Sequence, residues 1–221
     1  MPMNHPLKQV ADLFSQPPVV EEMHDRLPIG LHPWEAAVVQ RYFPPSGRLL
    51  DLGCGPGREA IALARLGYEV IGADISEAVL DRARANAAEA GVTVQWLLVD
   101  GLNLPPGPFD AIIMWAQVLG NIPERRDQLT LLTNCRAALK PGGLISASGH
   151  YEPFCRRVWG KQTDADWFYP TGSWTPGELK YHMFTAETLE ALFRETGFEI
   201  VATEVPDTLP AIIHTVARRT D

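Results

Sequence analysis

The chain has 221 residues, with 19 Lys and Arg against 27 Asp and Glu, a net charge of −8 and a hydrophobic fraction of 46%. That length holds one sizeable α/β domain with some covering structure but not two full domains, and the acidic balance, with no Lys/Arg run longer than two, argues against nucleic acid as a partner. Cys54, Cys135 and Cys155 stand far apart without a CxxC, and the six histidines show no HExxH or HxH spacing, which excludes a disulfide framework and a zinc site and leaves free thiols in a reducing cytoplasm.

The first fourteen residues lack a charged segment followed by an apolar one, so no secretory leader is expected there. No stretch approaches the roughly 18 apolar residues that a membrane span requires. Residues 1–46 hold eight prolines between short apolar pieces, with helices expected over 7–14 and 34–42. Helices this short do not stand alone, so this segment is expected to cover the main domain, residues 47–221.

From Arg48 onward strands alternate with helices. Strands are expected over 48–52, 68–73, 92–99, 111–115, 144–148, 198–203 and 211–216. Helices are expected over 58–66, from the Ser76 cap to 90, over 123–139, and from the Thr185 cap to 196. This alternation gives a doubly wound, mostly parallel, seven-stranded sheet with helices on both faces. A long connection over 150–184 carries nine of the nineteen aromatic residues, including Trp159, Trp167, Tyr169, Trp174 and Tyr181. Such density predicts an insertion with its own small core, an apolar pocket, or both.

In an open parallel sheet, ligands bind beyond the carboxyl ends of the strands. Three successive predicted strands end at an acid: Asp51, Asp74 and Asp100. After the first comes Gly53-Cys54-Gly55-Pro56-Gly57, a loop whose glycines allow backbone to approach a ligand closely. A dinucleotide site uses G-x-G-x-x-G at this place. Here the spacing is G-x-G-x-G, and Asp51 would oppose a pyrophosphate while suiting an ammonium or sulfonium. The loop therefore points to a cationic ligand.

The segment LLDLGCGPGREAIALARLGYEVIGADIS resembles the first two strands of class I S-adenosylmethionine-dependent methyltransferases, the seven-stranded Rossmann-like family. The resemblance continues in order through VDGLNLP, FDAIIMWAQVLGNIPE, LKPGGLISAS and FTAETLEALFRETGFEI. It implies S-adenosylmethionine as cofactor, with Asp51, Gly53, Cys54, Gly55 and Gly57 around its methionine part. By the same resemblance, Asp74 takes the ribose hydroxyls, Ile75 and Leu102 sandwich the adenine, and Asp100 with the Gly101 or Leu102 N–H reads the adenine edge. Trp115 and Ala116 would line the methyl end. Arg58, Arg26 and Arg41 are rivals for the methionine carboxylate.

The resemblance places the acceptor pocket after strands 4 and 5 and under the N-terminal cover. His150 and Tyr151 are the candidates for positioning or deprotonating an acceptor, with Gln117 and Asn121 as orienting groups, His182 and His24 behind them, and Arg156, Arg157 and Lys161 for an anionic substrate. The family's (N/D)PP(Y/F) signature for amide and nucleobase amines is replaced by Trp115-Ala116-Gln117-Val118, so a small-molecule acceptor methylated on O or N is expected. Two alternatives stay open at this point: a nicotinamide-dependent Rossmann oxidoreductase, and a non-catalytic cofactor-binding protein on the same fold. No metal and no membrane partner are expected, and the sequence leaves the oligomeric state open.

Overall fold

The computed structural model describes residues 5–122, 124–159, 163–164, 167–168 and 181–221. Three helices lead the chain: α1 His5–Phe14, α2 Pro17–Asp25 and α3 Pro33–Tyr42. The α/β body follows as β1 Arg48–Leu52, α4 Arg58–Arg65, β2 Glu69–Asp74, α5 Glu77–Ala90, β3 Gln95–Leu98, β4 Phe109–Met114, α6 Arg125–Ala138 and β5 Leu139–Tyr151. Then come α7 Glu152–Trp159, the short β6 Thr163–Asp164 and β7 Trp167–Phe168, β8 Tyr181–Phe184, α8 Ala186–Glu195, β9 Phe198–Glu204 and β10 Ile212–Arg219.

The main sheet runs β3-β2-β1-β4-β5, parallel throughout, and continues through β10, antiparallel to both β5 and β9. These are the seven expected strands in a doubly wound order. The order reverses between β1 and β4, so a crevice opens beyond their carboxyl ends. Beside them, β8 pairs with the end of β5 at His150↔Met183 and Tyr151↔Phe184, and β7 and β6 continue from it as an antiparallel ribbon.

Side-chain alternation sorts the core into two layers. Leu50, Leu52, Ile112 and Met114 point to the face covered by α6 and α8, where they meet Leu131, Leu132, Leu189 and Phe193. Leu49, Ala111, Ile113 and Trp115 point to the other face, under Trp34 and Val38 of α3 and Ala60 and Leu63 of α4. Asp51 lies between Leu50 and Leu52 and so shares the α3/α4 face with Leu49. The same two-residue period that buries the strand also sends this carboxylate beneath two helices.

Three expectations need correction. No helix is expected between residues 14 and 34, yet Pro17-Pro18 opens α2, because proline at the first helical positions lacks only an N–H that has no partner there anyway. The third strand is four residues rather than eight, pairing with β2 only over Gln95–Leu98. The fifth strand, expected over 144–148, runs from Leu139 to Tyr151, so His150 and Tyr151 belong to that strand instead of following it. Of the aromatic insertion, the side chains from 159 to 181 lie outside the described residues.

Trp96 of β3 ties the sheet edge to the loop after β1. A Cβ built on Gly72 would stand 2.4 Å from its ring and 3.2 Å from Cys54 Sγ, and one on Gly57 would stand 2.7 Å from the same ring. We expect Gly72→Ala to destabilise the fold by about 1–3 kcal/mol through overpacking. Urea unfolding would show a lower midpoint at unchanged slope; an unchanged midpoint would mean that the Trp96 ring is not seated over Gly72.

Candidate functional site

The glycine loop turns because its backbone takes left-handed dihedrals: Gly53, Gly55 and Gly57 have φ of 74°, 54° and 93°. The N–H groups of Gly53 and Cys54 both donate to Ala73 O, at 2.7 and 3.1 Å, anchoring the loop to the end of β2. Asp74 completes the anchor. Its Oδ2 accepts from Gly55 N at 3.0 Å and its Oδ1 from Ser76 N at 3.0 Å. A carboxylate offers about four acceptor positions, so these backbone donors leave capacity for a ligand. Burial pushes the Asp74 carboxyl above its usual range, against the lowering effect of those backbone hydrogen bonds.

The N-terminal helices close over this turn. Ser76 caps α5 by accepting from Val79 N at 3.3 Å, and its Oγ also lies 2.8 Å from Ser15 Oγ, just past α1. Ser15 in turn donates to Ala11 O at 2.7 Å, so the Ser76 hydroxyl is the donor between the two. Leu7 packs over Gly101, and Met23 of α2 faces Gly55. Glu21 of α2 pairs with Arg82 of α5.

Between loop, sheet ends and cover lies a cavity of about 520 Å³. Its lining is largely apolar, with Leu7, Phe14, Met23, Val118, Leu209 and Ile212 among the contributors. Its charges are mainly acidic. Glu35, Glu59, Asp74 and Glu22 face Arg58, Arg26 and His32. Arg58 is already committed: it holds the buried Glu35 through two bonds of 2.7 and 2.8 Å, and it also bonds Glu59 and Gly30 O. Asp51, 2% exposed, adds a further acid just behind the lining, and its Oδ2 has no hydrogen-bond partner. Burial pushes the Asp51 carboxyl well up, and Glu59 pushes it further. Burial likewise lifts Glu59 to about 7, despite the neighbouring Arg58.

Of the residues expected at the site, Gly53, Cys54, Gly55, Asp74, Ile75 and Gly101 line the cavity together. Asp51, Gly57, Asp100, Leu102, Trp115, His150 and Tyr151 are not among its lining residues. The reasons are local. Gly57 faces Trp96 rather than the cavity. Asp100 turns its carboxylate into its own loop, accepting from Leu102 N, Asn103 N and Asn103 Nδ2, so the Leu102 N–H is also taken. Trp115 is buried with its Nε1 donating to Ser146 Oγ at 2.9 Å and its ring edge-on to Trp34. His150 and Tyr151 sit in β5 beside β8, and burial drives the His150 imidazole down to about 3, so it stays neutral near pH 7. Arg41 pairs with Glu204 away from the cavity, and Arg26 lines the cavity while paired with Glu22.

Sequence reasoning missed Glu35, Glu59, Trp34 and the contribution of α2. The first two read as ordinary helix residues, because their shared partner is Arg58, 23 positions from Glu35. One available signal was Pro33 with an acid two residues later, which marks a helix start and a first-turn carboxylate. Ala116 and Gln117 follow β4 with φ of 52° and 66°, a conformation that non-glycine residues seldom take, and both line the cavity with Asn121. Among the described residues no cluster of three metal-ligating side chains occurs, and no helix is long and apolar enough to cross a membrane.

Because Glu35 is 1% exposed and its side-chain charge is met by Arg58, Arg58→Gln leaves a buried carboxylate without its cation. We expect a loss of about 3–5 kcal/mol in denaturant unfolding. The double variant Arg58→Gln/Glu35→Gln should recover most of it; equal losses in single and double variants would show that the pair itself is not what matters.

Residues 49–143 match the family model described as a methyltransferase domain. A probable methyltransferase, ltbC, from Aspergillus luteorubrus is 31% identical over 180 residues, covering 75% of this chain and 61% of its own length. A ubiquinone biosynthesis O-methyltransferase from Cereibacter sphaeroides is 39% identical over 103 residues, 46% of this chain and 40% of its own length. The chain thus spans less than two thirds of these curated relatives. A SAM-dependent methyltransferase structure from Methanosarcina mazei superposes with a TM-score of 0.74 at 21% identity, covering 86% of this chain and 98% of that one. That likeness is one of fold. Sequence and architecture agree in what the chain is similar to: residues 49–143 match a methyltransferase domain, and the fold is that of an S-adenosylmethionine-dependent methyltransferase structure.

Proposed function

We propose that this protein binds S-adenosylmethionine in the cavity beyond β1, β2 and β4 and transfers its methyl group to a small-molecule acceptor. The observation that carries this reading is the charge of the site. Asp51, Glu35, Glu59 and Asp74 are buried around the committed guanidinium of Arg58, and Arg26 at the cavity wall is paired with Glu22, so carboxyl groups outnumber the cations beside the glycine turn. A dinucleotide pyrophosphate would meet that excess with like charge, whereas a sulfonium or ammonium would be attracted.

The cofactor, when bound, supplies an activated methyl group; the chain's own part is to bind, align and exclude water. Asp74 offers its remaining acceptor capacity to the ribose hydroxyls. Gly55, where an added Cβ would meet nothing nearer than Met23 Sδ at 3.9 Å, leaves room for the ligand against the backbone. Gly101 and Ile75 flank the adenine end under Leu7. The α1–α2 cover and Val118 keep water out. At the far end Trp34, Leu209 and Ile212 form an apolar wall for the acceptor, while Gln117 and Asn121 orient its polar atoms. The Asn121 Oδ1, buried and without a partner, accepts from an acceptor hydroxyl or amine. Relatives that carry O-methyltransferase names are in keeping with an oxygen acceptor.

The test is direct. Calorimetry should show S-adenosylhomocysteine binding and no NAD binding, and labelled cofactor should pass its methyl to a component of a metabolite extract. Asp74→Ala should weaken S-adenosylhomocysteine by about 1.5–3 kcal/mol, as expected for hydrogen bonds to a charged group. NAD binding in place of S-adenosylhomocysteine would overturn the assignment, and unchanged affinity in the variant would remove Asp74 from the ribose.

A further inference from the structure

Asp51 and Glu59 together give this site more than a place for a cation. Both are buried, at 2% and 6% exposure, on the face where α3 and α4 cover β1. The groups that face them are few. From α3 comes Glu35 and from α4 comes Arg58; Asp74 ends β2, and Cys54 lies in the loop between. His32 also meets the cluster, its backbone N–H donating to Glu35 Oε2 at 2.7 Å and burial lowering its imidazole, and Arg26 stands at the cavity wall paired with Glu22. Arg58 divides its donors between Glu35, Glu59 and Gly30 O, leaving none on Asp51. One guanidinium cannot balance Glu35, Glu59, Asp51 and Asp74 in a medium that solvates charge poorly. Electroneutrality then demands either protons or a bound cation.

We propose that Asp51 and Glu59 hold a proton between them in the ligand-free protein and release it when a sulfonium arrives, so that the site tells charged cofactor from neutral product by proton-linked charge. This inference rests on the proposed cofactor and extends it to selectivity. S-adenosylmethionine carries a net positive charge and S-adenosylhomocysteine carries none, while their other groups are shared. Capture of the first replaces a proton with a cation, and the charge of the cluster stays balanced. Loss of the methyl group removes that cation and leaves the carboxylates in excess. The cluster then takes a proton back from solvent, and the neutral thioether loses its electrostatic hold. Charge balance thus favours product release as well as cofactor capture.

The pH dependence has a definite sign. A carboxyl held near 7 before binding and lowered by the cation is already ionised above pH 7, so full affinity is present there. Below pH 7 the cation must displace the proton, and affinity falls. Linkage for one proton with a midpoint near 7 gives roughly a tenfold change in the affinity ratio of S-adenosylmethionine to S-adenosylhomocysteine between pH 6 and pH 8.

Titration calorimetry of the whole chain at pH 7, run in phosphate and in Tris, counts the protons released with each ligand. S-adenosylmethionine should release a substantial fraction of one proton and S-adenosylhomocysteine distinctly less. Glu59→Gln should reduce the difference and flatten the affinity ratio across pH, and Asp51→Asn provides an independent second variant should the first unfold. Both ligands binding with equal or no proton release in the unmodified chain would overturn the proposal while leaving the cofactor assignment standing. If neither ligand binds, the assignment beneath it fails instead.

Discussion

The bidentate grip of Arg58 on Glu35 is the interaction on which the site depends. It joins the start of α4, the helix that follows the glycine loop, to α3, the last helix of the N-terminal cover. Both groups are nearly dry, so neither tolerates loss of the other. The pair fixes the roof over Asp51 and consumes the nearest guanidinium, which leaves the cavity acidic. Had Arg58 been free, the same loop would accommodate an anionic ligand as readily as a cationic one. The proposed preference for a cation thus rests on an ion pair that touches the site from behind.

Much of the scaffold was legible because period and punctuation agreed. Tracts over Arg48–Leu52 and Glu69–Asp74 are too short and apolar for anything but buried strands, and Gly67 and Gly91 stop the helices that follow them. The Ser76 and Thr185 caps lie where their side chains promised. The glycine loop and Asp74 were equally plain, since they belong to one contiguous stretch whose spacing carries its meaning. The helix opened by Pro17-Pro18 was not legible, since proline allows both a break and a beginning, and burial of Val19 and Val20 selects the helix.

What stayed hidden was whatever depends on distant partners. Glu59 looks like a solvated residue in the first turn of an amphipathic helix, and only its position against Arg58 and under α3 makes it a buried acid. Asp100 looked like a ligand group because acids closing strands often are, yet its own loop offers three donors at closer range. Trp115 follows strand 4 as expected, but alternation turns it inward against Ser146 instead of outward to the crevice. Sequence position gave the level of each side chain along the sheet; direction came from tertiary neighbours.

The seating of Trp96 carries a consequence for how the molecule keeps its loop in shape. The indole fills the two hollows left by Gly57 and Gly72, so the outermost strand works as a wedge behind the turn that would cradle the cofactor. That strand is only four residues long and pairs on one side alone. Fraying at this rim withdraws the wedge and slackens the cradle, even though nothing on β3 reaches the ligand. Stiffness at the heart of the molecule is thus borrowed from its margin.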